Sequence, residues 1–296
     1  MNVDQLKGCA TALLTPFRNG EVDYDAYTKM VERQVAGGVD FLVALGSTAE
    51  TPCLTDDEKV SLLDITMSEA KGMPVVAGVG TNSLIHTIAN IKLLDKADAY
   101  LVVVPYYNKP NQQGMFEYFK AVAASTDKPI ILYNVPGRTA ANMSSQTVIR
   151  LSSIPNIVGI KEASGNLKQV ADIVFGTDSD FIVLSGNDDQ ALDVITAGGH
   201  GIISVASNIA PRMMSEMTHY AMNGDERRAV RIFSSLLPLF DACFVESNPI
   251  PAKAAMEILG LCKNELRLPL VKCEPSTYRL MTNVIKKLNS GQYGQA

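Results

Sequence analysis

A few side chains in this sequence stand where short apolar runs give way to polar residues, and together they could carry amine and proton-transfer chemistry. Ile157–Gly165 reads IVGIKEASG, an apolar run that halts at Lys161. Ile130–Tyr133 ends in a tyrosine followed by Asn-Val-Pro-Gly-Arg, which brings Arg138 soon after Tyr133. Phe41–Leu45 passes into Gly46-Ser47-Thr48-Ala49-Glu50, and Ala99–Val104 into Pro105-Tyr106-Tyr107-Asn108. A lysine with its stem in a core and its amine at the mouth is desolvated, which favours the uncharged, nucleophilic amine. Such an amine can add to a ketone and form a Schiff base. The iminium then draws electrons from the neighbouring carbon, so a proton there can leave and the resulting enamine can attack an aldehyde. The hydroxyls of Tyr133, Thr48 and Tyr107 could relay protons, because each can both donate and accept. Arg138 could hold a carboxylate by paired hydrogen bonds, and Gly46 and Gly186 permit close approach of backbone N–H groups to a second one. Each residue also has a plainer reading. Lys161 could be a structural cation paired with Glu162, each tyrosine a packed ring, and Arg138 a solvated loop charge.

The elements that must position these groups can be read from the alternation of β-rich runs with helix-length amphipathic stretches. Strands are predicted at Cys9–Leu14, Phe41–Leu45, Val75–Val79, Ala99–Val104, Ile130–Tyr133, Ile157–Lys161, Phe181–Ser185 and Gly201–Ser204. Helical spacing follows each: Tyr24–Ala36, a helix from near Thr55 with Glu58 as capping partner, Leu84–Leu94, Gln113–Ala124, Ser144–Leu151, Leu167–Phe175, Asp188–Ala197 and Arg212–Met222. Strand-then-helix units recurring about every 25 residues are what a closed parallel barrel requires, since each crossover helix returns the chain for another parallel strand. The fold class predicted is α/β, a (β/α)₈ TIM barrel over residues 1–224; an open doubly wound sheet is the alternative. From 225 to 296 the pattern is helical (Glu226–Leu237, Ile250–Leu259, Thr277–Leu288), a C-terminal appendage suited to an oligomer contact.

In such a barrel the site lies at the C-terminal ends of the strands. Lys7, Lys71, Lys96 and Lys128 all precede strands, on the opposite rim, whereas Lys161 ends one.

Composition narrows the partners. The 296 residues are 47% hydrophobic and 19% charged, with a net charge of −5. That balance excludes a basic nucleic-acid or membrane surface and favours a small-molecule substrate. Five cysteines without a CxxC pair read as buried thiols of a reducing compartment. With no leader-like start and no long apolar run, a cytoplasmic location is expected. His86, His200 and His219 show no metal-ligand spacing, Gly78-Val79-Gly80 lacks the third glycine of a dinucleotide loop, and no GxxxxGK[ST] occurs, so neither metal nor nucleotide cofactor is expected.

Seven motifs in order extend this reading: GSTAE at Gly46–Glu50, PYYNKP at Pro105–Pro110, YNVPGRT at Tyr133–Thr139, GIKEASGN at Gly159–Asn166, LSGND at Leu184–Asp188, GGHGIISV at Gly198–Val205 and NPIPAK at Asn248–Lys253. Together they resemble the dihydrodipicolinate synthase family of pyruvate-dependent lyases. The resemblance implies a (β/α)₈ barrel with C-terminal helices in which Lys161 condenses with pyruvate and the enamine attacks L-aspartate 4-semialdehyde, on the diaminopimelate route to lysine. It implies that Tyr133, Thr48 and Tyr107 form a proton relay, with Tyr107 reaching into a neighbouring subunit. It further implies that Arg138 binds the semialdehyde carboxylate, that the Ser47–Thr48 backbone binds the pyruvate carboxylate, and that Gly186 and the carbonyl of Ile203 line the pocket. The assembly implied is a homotetramer built as a dimer of dimers, without cofactor.

Some positions depart from the family pattern. Ala49 replaces a glycine; were positive φ required there, alanine would cost about 1 kcal/mol. Ser247 stands where many members have proline. Asp56, Lys59 and His86 take the places of residues used by lysine-inhibited members, while Asn82 and Tyr106 match, so weak or absent feedback by lysine is expected. Among enzymes the rival is a sibling aldolase making the same Schiff base, such as N-acetylneuraminate lyase or a keto-deoxy-sugar acid aldolase, against which Arg138 speaks. A catalytically silent binding barrel is the rival from another class, and Lys161, Tyr133 and Thr48 together argue against it.

Overall fold

The computed structural model describes residues 2–290. Parallel strands β1 (Gly8–Ala12), β2 (Phe41–Ala44), β3 (Val75–Gly78), β4 (Ala99–Val103), β5 (Ile130–Asn134), β6 (Ile157–Glu162), β7 (Ile182–Ser185) and β8 (Gly201–Ser204) pair in sequence order. β1 closes the sheet by pairing with both β2 (Ala10 beside Phe41) and β8 (Gly8 beside Gly201). The closure excludes the open sheet and establishes the (β/α)₈ barrel.

Alternation along each strand divides its side chains between two cores. Ala10, Phe41, Val43, Val76, Leu101, Ile131, Tyr133, Ile182, Leu184 and Ile203 fill the barrel interior. Their strand neighbours, among them Leu42, Ala77, Val102, Leu132, Ile160, Val183 and Ile202, meet the helices outside. Both faces are therefore buried, which is why the strands read as unbroken apolar runs.

Helices α1 (Tyr24–Ala36), α2 (Asp56–Glu69), α3 (Leu84–Leu93), α4 (Gln112–Ala123), α5 (Ser145–Ser152), α6 (Leu167–Gly176), α7 (Ala191–Thr196) and α8 (Pro211–Met222) surround the sheet. The start signals operate as chemistry predicts. Asp23 accepts from Ala26 N, Asn111 from Gly114 N and Ser144 from Thr147 N, while Thr55 and Glu58 complete a capping box.

Beyond the barrel lie α9 (Glu226–Phe244), α10 (Ile250–Ile258) and α11 (Pro275–Asn289); residues 291–296 of the predicted appendage fall outside the described residues. α9 continues through Pro238, where the sequence pattern predicts an end near Leu237. Proline removes a single helical N–H donor. The buried Leu236, Leu239, Phe240 and Cys243 on either side hold the helix against the core across that gap. A short hairpin, Phe17–Arg18 with Glu21–Val22, was not legible either, because two-residue strands carry no periodicity.

Candidate active site

Lys161 and Tyr133 are paired in register across β5 and β6, so both side chains point into the barrel near its C-terminal end. Lys161 is 5% exposed, and its Nζ lies 4.6 Å from the centroid of the Tyr133 ring, within cation–π distance. Glu162, being next on the strand, points the other way. Its carboxylate accepts from Asn134 Nδ2 (3.0 Å), Gln169 Nε2 (2.9 Å) and Ser164 N (2.7 Å). The structure thus removes the ion-pair reading of Lys161 with Glu162 on simple grounds: adjacent strand residues occupy opposite faces. The Lys161 charge is felt by Asp188, which is buried and accepts from Ser204 Oγ, Val205 N and Ala206 N. Burial raises the Asp188 carboxyl above its ordinary range, while those hydrogen bonds and the Lys161 charge oppose the rise.

Gly186 lies against the lysine stem. A Cβ at that position would fall 2.7 Å from Ala163 Cβ and 3.0 Å from Lys161 Cε. Ile203 is an interior residue of β8. A cavity of about 360 Å³ opens at this end, with Ser47, Tyr106, Tyr133 and Arg138, and also Thr81 and Lys59, on its wall. Lys161 does not itself line the cavity; Tyr133, whose ring it touches, does.

The remaining predicted residues fall at different distances from this centre. Arg138 sits on the helical turn Pro136–Thr139, faces the cavity and donates from Nη2 to Asn248 O at 2.8 Å. Ser47 and Thr48 belong to the turn Ser47–Ala49 after β2. Thr48 is 3% exposed, and its Oγ1 accepts from Asn248 Nδ2 at 2.9 Å, whereas Ser47 stands at the cavity wall. Tyr107 is 88% exposed at the tip of the loop after β4, with φ of 71° and an Asn108 N to Tyr106 O hydrogen bond of 2.8 Å across it. That is a tight turn of a kind strained for a non-glycine residue. Among the described residues no hydrogen bond joins the hydroxyls of Tyr133, Thr48 and Tyr107 within one chain.

The loop after β2 shows how Ala49 is accommodated. The left-handed residues flanking it are Leu45 (φ 59°) and Glu50 (φ 54°), while Ala49 lies in the turn itself and its carbonyl accepts from Thr15 Oγ1 at 2.8 Å. Alanine meets no strain there. Glu50 is held by partners distant in sequence: its carboxylate pairs with Lys253 Nζ and accepts from Arg267 N at 3.0 Å. Lys253 is fully buried, lies 4.3 Å from the Phe17 ring centroid, and is lowered by burial against the opposing pull of Glu50. Sequence reading missed Asn248 and the Glu50–Lys253 pair as site supports, although both lie inside motifs it had singled out.

The cysteines and histidines take structural places. Cys9 and Cys243 are buried, but Cys53, Cys262 and Cys273 are half-buried, which corrects the reading of all as buried thiols. His219 Nε2 meets Asp40 Oδ2 at 2.8 Å, His200 Nδ1 accepts from Val183 N, and His86 is exposed on α3. None of the described helices is long and apolar enough to cross a membrane.

A closed (β/α)₈ barrel that buries one strand-end lysine against a tyrosine, below a cavity with an arginine at its wall, defines a lyase of the Schiff-base class. The family profile described as dihydrodipicolinate synthetase matches residues 5–288, and the chain belongs to that family. It is 45% identical over 288 residues to the 4-hydroxy-tetrahydrodipicolinate synthase of Thermotoga neapolitana, covering 95% of this chain and 98% of the relative. The crystal structure of dihydrodipicolinate synthase from Thermotoga maritima superposes with a TM-score of 0.94 at 42% identity, covering 96% of this chain and 98% of the other. The Acinetobacter baumannii enzyme, solved as a complex with pyruvate, gives a TM-score of 0.93 at 37% identity over 96% and 99% of the two chains.

Proposed function

We propose that this enzyme is a 4-hydroxy-tetrahydrodipicolinate synthase, condensing pyruvate with L-aspartate 4-semialdehyde on the diaminopimelate route to L-lysine. The observation that carries the reading is the Lys161 amine, buried inside the barrel against Tyr133 with Glu162 turned away. The amine adds to the pyruvate ketone, water leaves, and the iminium accepts the electron pair released when a methyl proton departs. The enamine carbon then attacks the semialdehyde. No cofactor or metal is needed in this scheme, because the iminium itself is the electron sink.

Tyr133, whose ring lies against the Lys161 amine, is the proton donor and acceptor of the relay at the reacting carbon. Thr48 and Tyr107 are the other hydroxyls of the relay, and Ser47 lines the same cavity as Tyr133 on the substrate-binding side. The Ser47–Thr48 backbone holds the pyruvate carboxylate, since the first N–H groups of a helical turn have no partner within it. Arg138 holds the carboxylate of the semialdehyde, and Gly186 and the carbonyl of Ile203 bound the pocket. The outward, strained Tyr107 fits a residue that completes the site of a second copy in a homotetramer arranged as a dimer of dimers. Residues 1–224 form the catalytic barrel and 225–296 the helical region, and the cytoplasm is the proposed location.

The deciding experiment is borohydride reduction with pyruvate, followed by mass analysis of wild type and Lys161→Ala, and then a coupled assay with aspartate semialdehyde. An adduct on Lys161 with turnover is expected. No adduct overturns the mechanism, and an adduct without turnover of the semialdehyde assigns the chain to the sugar-acid or sialic-acid lyases instead.

A further inference from the structure

Asn248 touches the site twice while belonging to neither the barrel nor the residues assigned above. It precedes α10, is 6% exposed, donates from Nδ2 to Thr48 Oγ1 (2.9 Å), and accepts at its backbone oxygen from Arg138 Nη2 (2.8 Å). Its own Oδ1 is buried and has no hydrogen-bond partner. A buried acceptor left unpaired is destabilising, and an apolar side chain would avoid that cost while leaving the carbonyl contact to Arg138 in place. Stability therefore does not account for the amide. Further along the same segment, Lys253 pairs with Glu50, which follows Thr48 in the loop after β2. The segment 248–253 thus grips that loop at two points.

A threonine hydroxyl has a single proton and can turn it toward any nearby acceptor, including its own backbone. With the Asn248 N–H on one of its lone pairs, Thr48 cannot point its proton toward Asn248, and the proton is presented elsewhere. We propose that Asn248 is a positioning residue that fixes the direction in which Thr48 Oγ1 presents its proton to the bound pyruvate, as the relay requires, and holds Arg138 in place for the carboxylate of the second substrate. This rests on the function proposed above. It makes the helical region part of the catalytic apparatus: through one residue, the packing of α10 sets how a relay hydroxyl and a carboxylate-binding arginine are aimed.

The test compares Asn248→Ala, Asn248→Asp, Thr48→Val and the double variant Asn248→Ala/Thr48→Val in steady-state kinetics, with melting temperature as the check on folding. Asn248→Ala is expected to lower kcat about tenfold, the scale of losing one hydrogen bond, with a smaller change in KM for pyruvate. Thr48→Val should lower kcat at least as far, and the double variant no further than Thr48→Val alone. Asn248→Asp should be impaired at neutral pH and recover as pH falls, because the protonated acid can again donate to Thr48; wild type should show no such recovery. Should Asn248→Ala fail to fold, Asn248→Asp takes its place in the cycle. Additive effects in the double variant, or folded Asn248 variants with wild-type kcat and pH profile, overturn the proposal. Borohydride trapping of pyruvate separates the two readings: a wild type without adduct defeats the function itself, and a trapped wild type with indifferent Asn248 variants defeats only this inference.

Discussion

At the scale of single residues, chemistry depends on which way a strand points each side chain. Lys161 and Glu162 are neighbours in sequence and were equally plausible partners on composition, yet the pleat sends one into the barrel and the other to Asn134 and Gln169. The run IVGIKE announced a strand-end lysine, and the alternation rule, applied to it, would also have separated the two. Tyr133 was legible for the same reason, through its position at the end of the neighbouring strand. Tyr133→Phe should lower kcat by about 10²–10³ while leaving the borohydride-trapped adduct on Lys161 obtainable, because a general acid–base contributes on that order to proton transfer and less to carbinolamine formation. A full-rate Tyr133→Phe enzyme would contradict the assignment. Gly186→Ala should be nearly as harmful: the added methyl falls 2.7 Å from Ala163 Cβ and 3.0 Å from Lys161 Cε, so the lysine stem must move. Trapping kinetics should slow by about tenfold or more, consistent with displacing a nucleophile from its attack geometry.

At the scale of elements, the barrel strands and most helix starts could be read directly, since caps and periodicity are local. What could not be read were the contacts that join Thr48 to Asn248 and Glu50 to Lys253, roughly two hundred residues apart in sequence. No local pattern encodes a partner at that separation. The effect of Ala49 was unreadable for a related reason, because only the folded loop reveals that left-handed geometry falls on Leu45 and Glu50. The buried pair makes a prediction of its own. Both side chains of Glu50 and Lys253 are fully buried, so removing one partner strands a charge. Lys253→Met alone should cost about 3–5 kcal/mol in urea unfolding, with much of the loss recovered on adding Glu50→Gln. If the single substitution leaves the unfolding midpoint unchanged, the pair does not hold the loop.

At the scale of the whole molecule, net charge and composition correctly pointed to a small-molecule enzyme, but the cavity and its electrostatics required the fold. At the opposite rim from the site, hydrogen bonding to Asp40 raises His219 above its ordinary value of 6.5, against a smaller opposing effect of burial. A raised folded-state value means that this contribution is fully present below about pH 6.5 and is lost as pH rises through the folded value. His219→Gln should therefore flatten the dependence of melting temperature on pH across that window, by no more than about 1 kcal/mol since the ring is partly exposed.

The cavity bears on feedback by the pathway's end product. Tyr133, Arg138, Tyr106, Thr81 and Lys59 all line it, so an occupant on the Lys59 side would share one cavity with the catalytic layer. Lys59 carries an ammonium there, held at 2.9 Å by Asp56 Oδ1 with a side chain only 15% exposed. Free lysine brings two ammonium groups against a single carboxylate, so it arrives as a net cation. Like charges about 4 Å apart repel by about 1 kcal/mol in water and by about 4 kcal/mol in a partly buried setting, with Asp56 cancelling only part of the field. L-lysine should consequently inhibit weakly or not at all in a steady-state assay at saturating pyruvate. Lys59→Ala should strengthen inhibition by removing the repulsion, without changing the trapping of pyruvate on Lys161. Potent inhibition of the wild type, or inhibition indifferent to Lys59, would show that the Lys59 side of the cavity does not discriminate by charge.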